Sequence, residues 1–187
     1  MDTRVWFIIP VLLMSGCTHY TLVEPRPQKI GDFYTVEPQI HWSREKQGAI
    51  ELWTVDGPAL QAVRFFNGIK DGESMFPATG ADSKLPSYRS GMTAIEVEEF
   101  VIDTLARLGG TDVQAANLRP FQFGRTPGFR FEFTFLTREG LEFEGMAAGA
   151  EARDRLYLIL YTGARSHYFG KHKNDVERIF ESIQTSA

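Results

Sequence analysis

At 187 residues, with 43% hydrophobic and 24% charged positions, the chain has the composition of a globular domain and not of a disordered protein. Its formal net charge of −4, without a basic stripe, argues against nucleic acid as a partner. Cysteine occurs once, at Cys17, which excludes an internal disulfide and a cysteine-built metal site.

Arg4 and the α-amino group put a weak positive charge ahead of a short apolar run, Val5 to Met14, interrupted by Pro10. The run is too short to span a bilayer as a helix. A charged tip, a short apolar core and small residues before a cut site describe a secretory signal. The run closes in Leu12-Leu13-Met14-Ser15-Gly16-Cys17. With its cysteine directly after Ser-Gly, this stretch resembles the lipobox of bacterial lipoprotein signals, with Met14 where that family usually has leucine. The resemblance implies that residues 1–16 are a signal peptide that is removed, and that Cys17 is lipidated and starts the mature chain. Several acyl chains on one residue anchor firmly, whereas a single chain holds only marginally. Lipoproteins kept at the inner membrane typically have aspartate after the cysteine. Thr18 therefore implies the outer membrane in a cell that has two. Read without the resemblance, the same stretch is an ordinary signal peptide, or a short N-terminal anchor, with an incidental cysteine.

Residues 17–29 carry Pro25 and Pro27 among polar side chains and read as a lipidated, extended tether. A single domain is expected over residues 30–187. Its first half reads as short strands joined by turns: Asp32 to Val36, Ile40 to Arg44, Ala49 to Val55 and Leu60 to Phe66, with Asp56-Gly57-Pro58 as a turn. From Gly72 to Gly91 neither period is clean, and loops of this length inside compact domains are usually functional or disordered. Thr93 with Glu96 forms a capping box that opens a helix to Leu108. Val97, Phe100, Val101, Leu105 and Leu108 form its apolar stripe, and Gly109-Gly110 ends it.

Val113 to Phe123 predicts a strand bent at Pro120. Phe129, Phe131, Phe133 and Phe135 then alternate with Arg130, Glu132, Thr134 and Leu136, the clearest period-two signal in the chain. Arg138-Glu139-Gly140 turns, and Leu141 to Ala148 returns. Arg155 to Thr162 is apolar on both faces and predicts a central strand. A closing helix is expected from an Asn174 cap with Glu177, burying Val176, Ile179, Phe180 and Ile183; Gly170 leaves the helicity of Ser166 to Lys173 open.

These elements make an α+β fold, an antiparallel β-sheet with helices packed on its faces. The order of elements, the Gly128-to-Ala150 hairpin, the Leu156-to-Tyr161 strand and the closing helix resemble the PsbP-like α/β/α sandwich over about Ile30 to Gln184. That group includes luminal photosystem proteins, a nuclear-import factor that binds a small GTPase, and bacterial lipoproteins. The resemblance implies a binding or accessory role more readily than catalysis, and it assigns no functional residue.

Candidate sites are few, and no catalytic residue or cofactor is expected. His167, His172 and Asp175 can be drawn as metal ligands, but the histidine spacing of five places them on different helix faces, and surface histidines are the better reading. Ser166-His167 lacks a nucleophile elbow. Glu132, Glu142 and Glu144 lie across one hairpin and could act as paired acids, or simply face solvent. Phe65, Phe66, Phe121 and Phe123 read as core. Met75, Phe76, Leu85 and Tyr88, in the long loop, are a possible partner surface; the competing reading is a lid over the sheet.

Three functions remain open at this point. The first is a non-catalytic envelope lipoprotein, bound to a membrane through its lipid, that binds an envelope protein or aids an assembly. The second is a periplasmic hydrolase using carboxylates or a histidine. The third is a carrier of a small apolar ligand, which needs open space between sheet and helix. The hydrolase requires a cleft that gathers at least two of His41, Asp56, Arg119, Glu132, Glu144 and His167.

Overall fold

The computed structural model describes residues 20–77 and 84–186, and the first described element is already part of the sheet. The strands are β1 (Thr21–Val23), β2 (Gln28–Ile30), β3 (Tyr34–Val36), β4 (Trp42–Gln47), β5 (Ile50–Thr54) and β6 (Gln61–Lys70). Helix α1 (Ala94–Arg107) follows, then β7 (Thr111–Phe123), β8 (Thr126–Leu136), β9 (Glu142–Ala152), β10 (Arg155–Ala164), α2 (Tyr168–Glu181) and β11 (Gln184–Thr185). Eight strands form one sheet in the order β1-β4-β5-β6-β10-β9-β8-β7, and β11-β3-β2 form a small second sheet. All strand pairs are antiparallel.

β10 sits between β6 and β9, as its apolar run on both faces requires. Its odd-numbered residues Tyr157, Ile159 and Tyr161 join one core, with Trp53, Val63, Phe65 and α2 residues Val176, Ile179 and Phe180. The even-numbered Leu156, Leu158 and Leu160 join the other, with Phe129, Phe131, Phe133 and α1 residues Val97, Phe100 and Val101. The main sheet is therefore the middle layer of an α/β/α sandwich. The small sheet completes the α2 side, adding Ile30, Tyr34 and Val36 to that core.

Two segments differ from expectation. The tether expected to run to Lys29 is instead folded from Thr21: Val23 pairs with Trp42 and is buried, and Lys29 pairs with Thr35. The prolines fall in the connection between β1 and β2, where no ladder hydrogen bond is required. The closing helix starts at Tyr168, six residues before Asn174, which lies mid-helix. Its first turn is held by tertiary contacts in place of a side-chain cap. The Tyr161 hydroxyl lies 3.0 and 2.9 Å from the carbonyls of Tyr168 and Phe169, and the Phe169 ring stacks on Tyr161.

The capping box of α1 forms as expected: the Thr93 hydroxyl accepts from the Glu96 amide, and the Glu96 carboxylate accepts from the Thr93 amide at 2.8 Å. β7 is an edge strand, and its register shifts lie at 111–114 and 116–119, with Asp112 and Asn117 at positive φ. Such bulges spoil an edge as a template for a further strand. β8 and β9 approach closely at Gly128, where a Cβ would strike the Gly149 carbonyl.

Candidate functional site

Alternation along β8 and β9 puts Glu132, Thr134 and Glu144 on the α2 side of the sheet, with Thr134 directly opposite Glu144. The start of α2 projects Phe169 and Lys173 over them, and β7 adds Gln114. Together they line an open cleft of about 340 Å³. The cleft thus gathers two of the residues that a carboxylate enzyme would need. His41 and His167 are exposed and do not line it.

Each carboxylate is committed to a neighbour. Glu132 accepts from the Asn117 amide at 2.8 Å and lies 3.8 Å from the Arg119 guanidinium. Glu144 pairs with Arg165 at 2.8 Å, and the same guanidinium grips Glu142. Those two contacts on Arg165 raise its pKa, Glu142 contributing most. Lys173 has no carboxylate partner among the described residues; its ammonium stands 5.6 Å from the Phe169 ring. The cleft therefore offers a cation, an aromatic wall and paired acids, which suits recognition of a polar group.

Of the two histidines read as surface residues, His167 is exposed and His172 is not. His172 is buried, with Nε2 2.9 Å from an Asp56 oxygen across 116 residues, while Nδ1 is 3.6 Å from Asp175 and makes no hydrogen bond. Lys171 donates to the other Asp56 oxygen at 2.7 Å. These contacts, Lys171 first, hold the Asp56 carboxyl below the usual carboxylate range against the opposing effect of burial. The arrangement ties α2 to the β5–β6 turn. His167 is not part of it; its ring rests edge-on against Tyr168. Among the described residues no group of three or more His, Cys, Asp or Glu side chains is placed to hold a metal ion.

Burial divides the possible partner surface in the long loop. Met75 and Tyr88 are buried in the α1-side core, and Phe76 and Leu85 are half-buried. The Tyr88 hydroxyl donates to Glu151 at 2.6 Å, and the Gly91 amide donates to the same carboxylate at 2.9 Å. Burial and that carboxylate push the Tyr88 hydroxyl up. Phe76 meets Phe66 edge-on. This part of the loop is a lid on the sheet, and residues 78–83 lie outside the described residues. An apolar recess of about 270 Å³ remains beside the start of α1, lined by Met92, Val97, Phe129 and Leu156.

One polar network escaped the sequence reading. Glu51 is 2% exposed, accepts from the Trp53 indole at 2.7 Å, and has Lys46 and Arg44 at 3.2 and 3.6 Å. Burial, and then the Glu51 charge, drive the Tyr34 hydroxyl well above its ordinary value. The signal available was a lone glutamate between apolar neighbours in Ile50-Glu51-Leu52-Trp53. Cys17 lies outside the described residues.

No family model matches the chain, and no curated protein matches it. Solved structures do. The chain is similar to cyanobacterial PsbP (CyanoP) from Synechocystis sp. PCC 6803, known from a solution structure, with a TM-score of 0.58 over 92% of this chain and 96% of that one, at 13% identity. That likeness shows the fold and nothing finer. A second likeness is to LpqN, involved in cell envelope biogenesis of Mycobacterium tuberculosis, at 10% identity over 93% of this chain and 88% of that one. Its TM-score of 0.40 is too low to argue from.

Proposed function

We propose that this PsbP-like domain is a non-catalytic binding or accessory module of a bacterial cell envelope. It is exported by its N-terminal signal and held by lipid on Cys17, at the periplasmic face of the outer membrane where two membranes exist. Its partner is an envelope protein. The observation that carries the reading is the cleft under α2. Its acids are occupied by Arg119, Asn117 and Arg165, while Lys173 is left to meet a partner beside the largely buried edge of Phe169. The fold likeness is compatible with this reading, because the fold by itself dictates no chemistry.

Two measurements test it. Cys17→Ala is expected to release the protein from membranes or leave it as an uncut precursor; a mature, membrane-bound variant rules out the lipid anchor. Capture from detergent-solubilised envelopes is expected to recover one partner with the parent chain and not with Lys173→Glu. Because Glu132 and Glu144 share the cleft, a carboxylate hydrolase is the second reading. It requires a turnover that Glu132→Gln abolishes.

A further inference from the structure

The folded part of the chain begins almost at the anchor. Tyr20 is three residues from Cys17, and β1 is already hydrogen-bonded to β4 from Thr21. Three residues reach about 11 Å at full extension. The headgroup region on each side of a bilayer is roughly 5–8 Å deep. A lipid on Cys17 thus leaves no tether to carry the domain away from the surface. The β1 edge of the sheet has to lie at the headgroups.

The side chains on that edge fit the location. Leu22 of β1 is 64% exposed and Tyr20, one residue before the strand, is 39% exposed with its hydroxyl bonded to Glu45, while Val23 is buried. A lone exposed leucine is ordinary. An exposed leucine and tyrosine two residues apart, within five residues of a lipid, have a use, since tyrosine prefers the membrane–water interface. The cations nearby are all matched: Arg26 pairs with Glu24, Lys29 with Asp32, and both Arg44 and Lys46 with Glu51. The edge therefore has no surplus positive charge with which to seek anionic lipid.

We infer that the β1 edge, through Tyr20 and Leu22, is a membrane-docking surface that seats the domain on the phospholipid bilayer holding its anchor, by apolar and aromatic contact. This rests on the lipid-anchor reading. Docking fixes which way the sandwich faces: β1 is down, and the β7–β9 end with its cleft points away from the bilayer.

The test supplies the anchor chemically, so its outcome does not depend on lipidation in cells. The chain from Cys17 onward, which keeps all described strands and helices, is coupled through its thiol to maleimide lipid in phosphatidylcholine vesicles. Leu22→Trp and, separately, Leu141→Trp are introduced. Leu141 is exposed beside β9, five strands from β1 and so about 24 Å across the sheet. The expected result is quenching of the added tryptophan at 22 by doxyl lipids, with a blue shift, and neither effect at 141. Adding anionic lipid is expected to change neither. Absence of quenching at 22, equal quenching at both positions, or quenching only on anionic vesicles each overturns the proposal. Tyr20→Trp serves as a second reporter if Leu22→Trp loses its native circular dichroism. Failure of the cellular lipid reading is read separately, from Cys17→Ala fractionation.

Discussion

Asp56 joins two parts of the chain that the sequence keeps far apart. It lies in the β5–β6 turn, yet it receives Lys171 and His172 from α2. Its folded pKa is depressed, with the Lys171 hydrogen bond as the leading cause. A depressed carboxylate adds stability that is fully present above its unfolded value, near ~3.9, and is lost as pH falls through the folded value. Asp56→Asn should therefore lower stability by about 1.5–3 kcal/mol at neutral pH, the range for hydrogen bonds to charged groups. The gap to the parent should shrink once both are melted in acid below the folded pKa. Melting midpoints at pH 7 and in acid check this; a gap that does not change with pH would mean the charge plays no part. Asp56-Gly57-Pro58 reads correctly as a turn from its residues. Nothing local in it announces a partner 116 residues away.

At the scale of elements, α1 and α2 show when a local signal suffices. Thr93 and Glu96 satisfy each other within four residues, so the start of α1 is legible. The start of α2 is held by Tyr161, from β10, and Gly170 weakens the helical pattern there. The sequence reading placed the start at Asn174 for that reason. Half of the cleft stayed out of sight with it, because Phe169 and Lys173 lie in the stretch whose helicity the residues leave open. Glu132 and Glu144 were legible, since alternation alone puts them on one side of the hairpin. Gly170 is exposed, has ordinary φ, and a Cβ there meets nothing within 4 Å. Gly170→Ala is expected to raise stability by about 0.5–1 kcal/mol. That corresponds to a melting midpoint higher by roughly 1–4 °C in a domain of this size. An unchanged or lower midpoint would show that the helix needs the glycine. The lid gives a complementary expectation. Phe76→Ala with Tyr88→Ala should cost about 3 kcal/mol or more, because Tyr88 is fully buried and both contact the α1-side core. Urea unfolding of the double variant measures it, and parent-like stability would return the loop to the solvent.

For the whole molecule, one sheet serves as the common wall of two cores. Phe100 belongs to the α1 side, whereas Trp42 and Trp53 are both on the α2 side. Phe100→Ala is expected to destabilise the chain by about 3–5 kcal/mol. With one cooperative unit, the tryptophan emission of the far side should shift along with the circular dichroism, in a single transition. Two separated transitions would mean that the layers melt independently. The sandwich itself was readable, because the strands of its middle layer carry long alternating or apolar runs. Of the second sheet only β3 was readable, inside the strand expected over Asp32 to Val36. Its strands are two or three residues long, and β11 pairs with β3 across about 150 positions. No periodicity survives in so few residues.

That pairing has a consequence for the order in which the protein can be completed. β3 waits near the beginning of the chain for β11 near its end, and the Ser186 amide closes the join on the Phe33 carbonyl at 2.8 Å. A polypeptide that emerges with its N-terminus leading, from a ribosome or through a membrane pore, cannot fasten this clasp until β11 has followed β3 out. Products that stop short of β11 lack it altogether, and their β2–β3 hairpin keeps a bare edge. The clasp is shut only when everything between its two halves has been made.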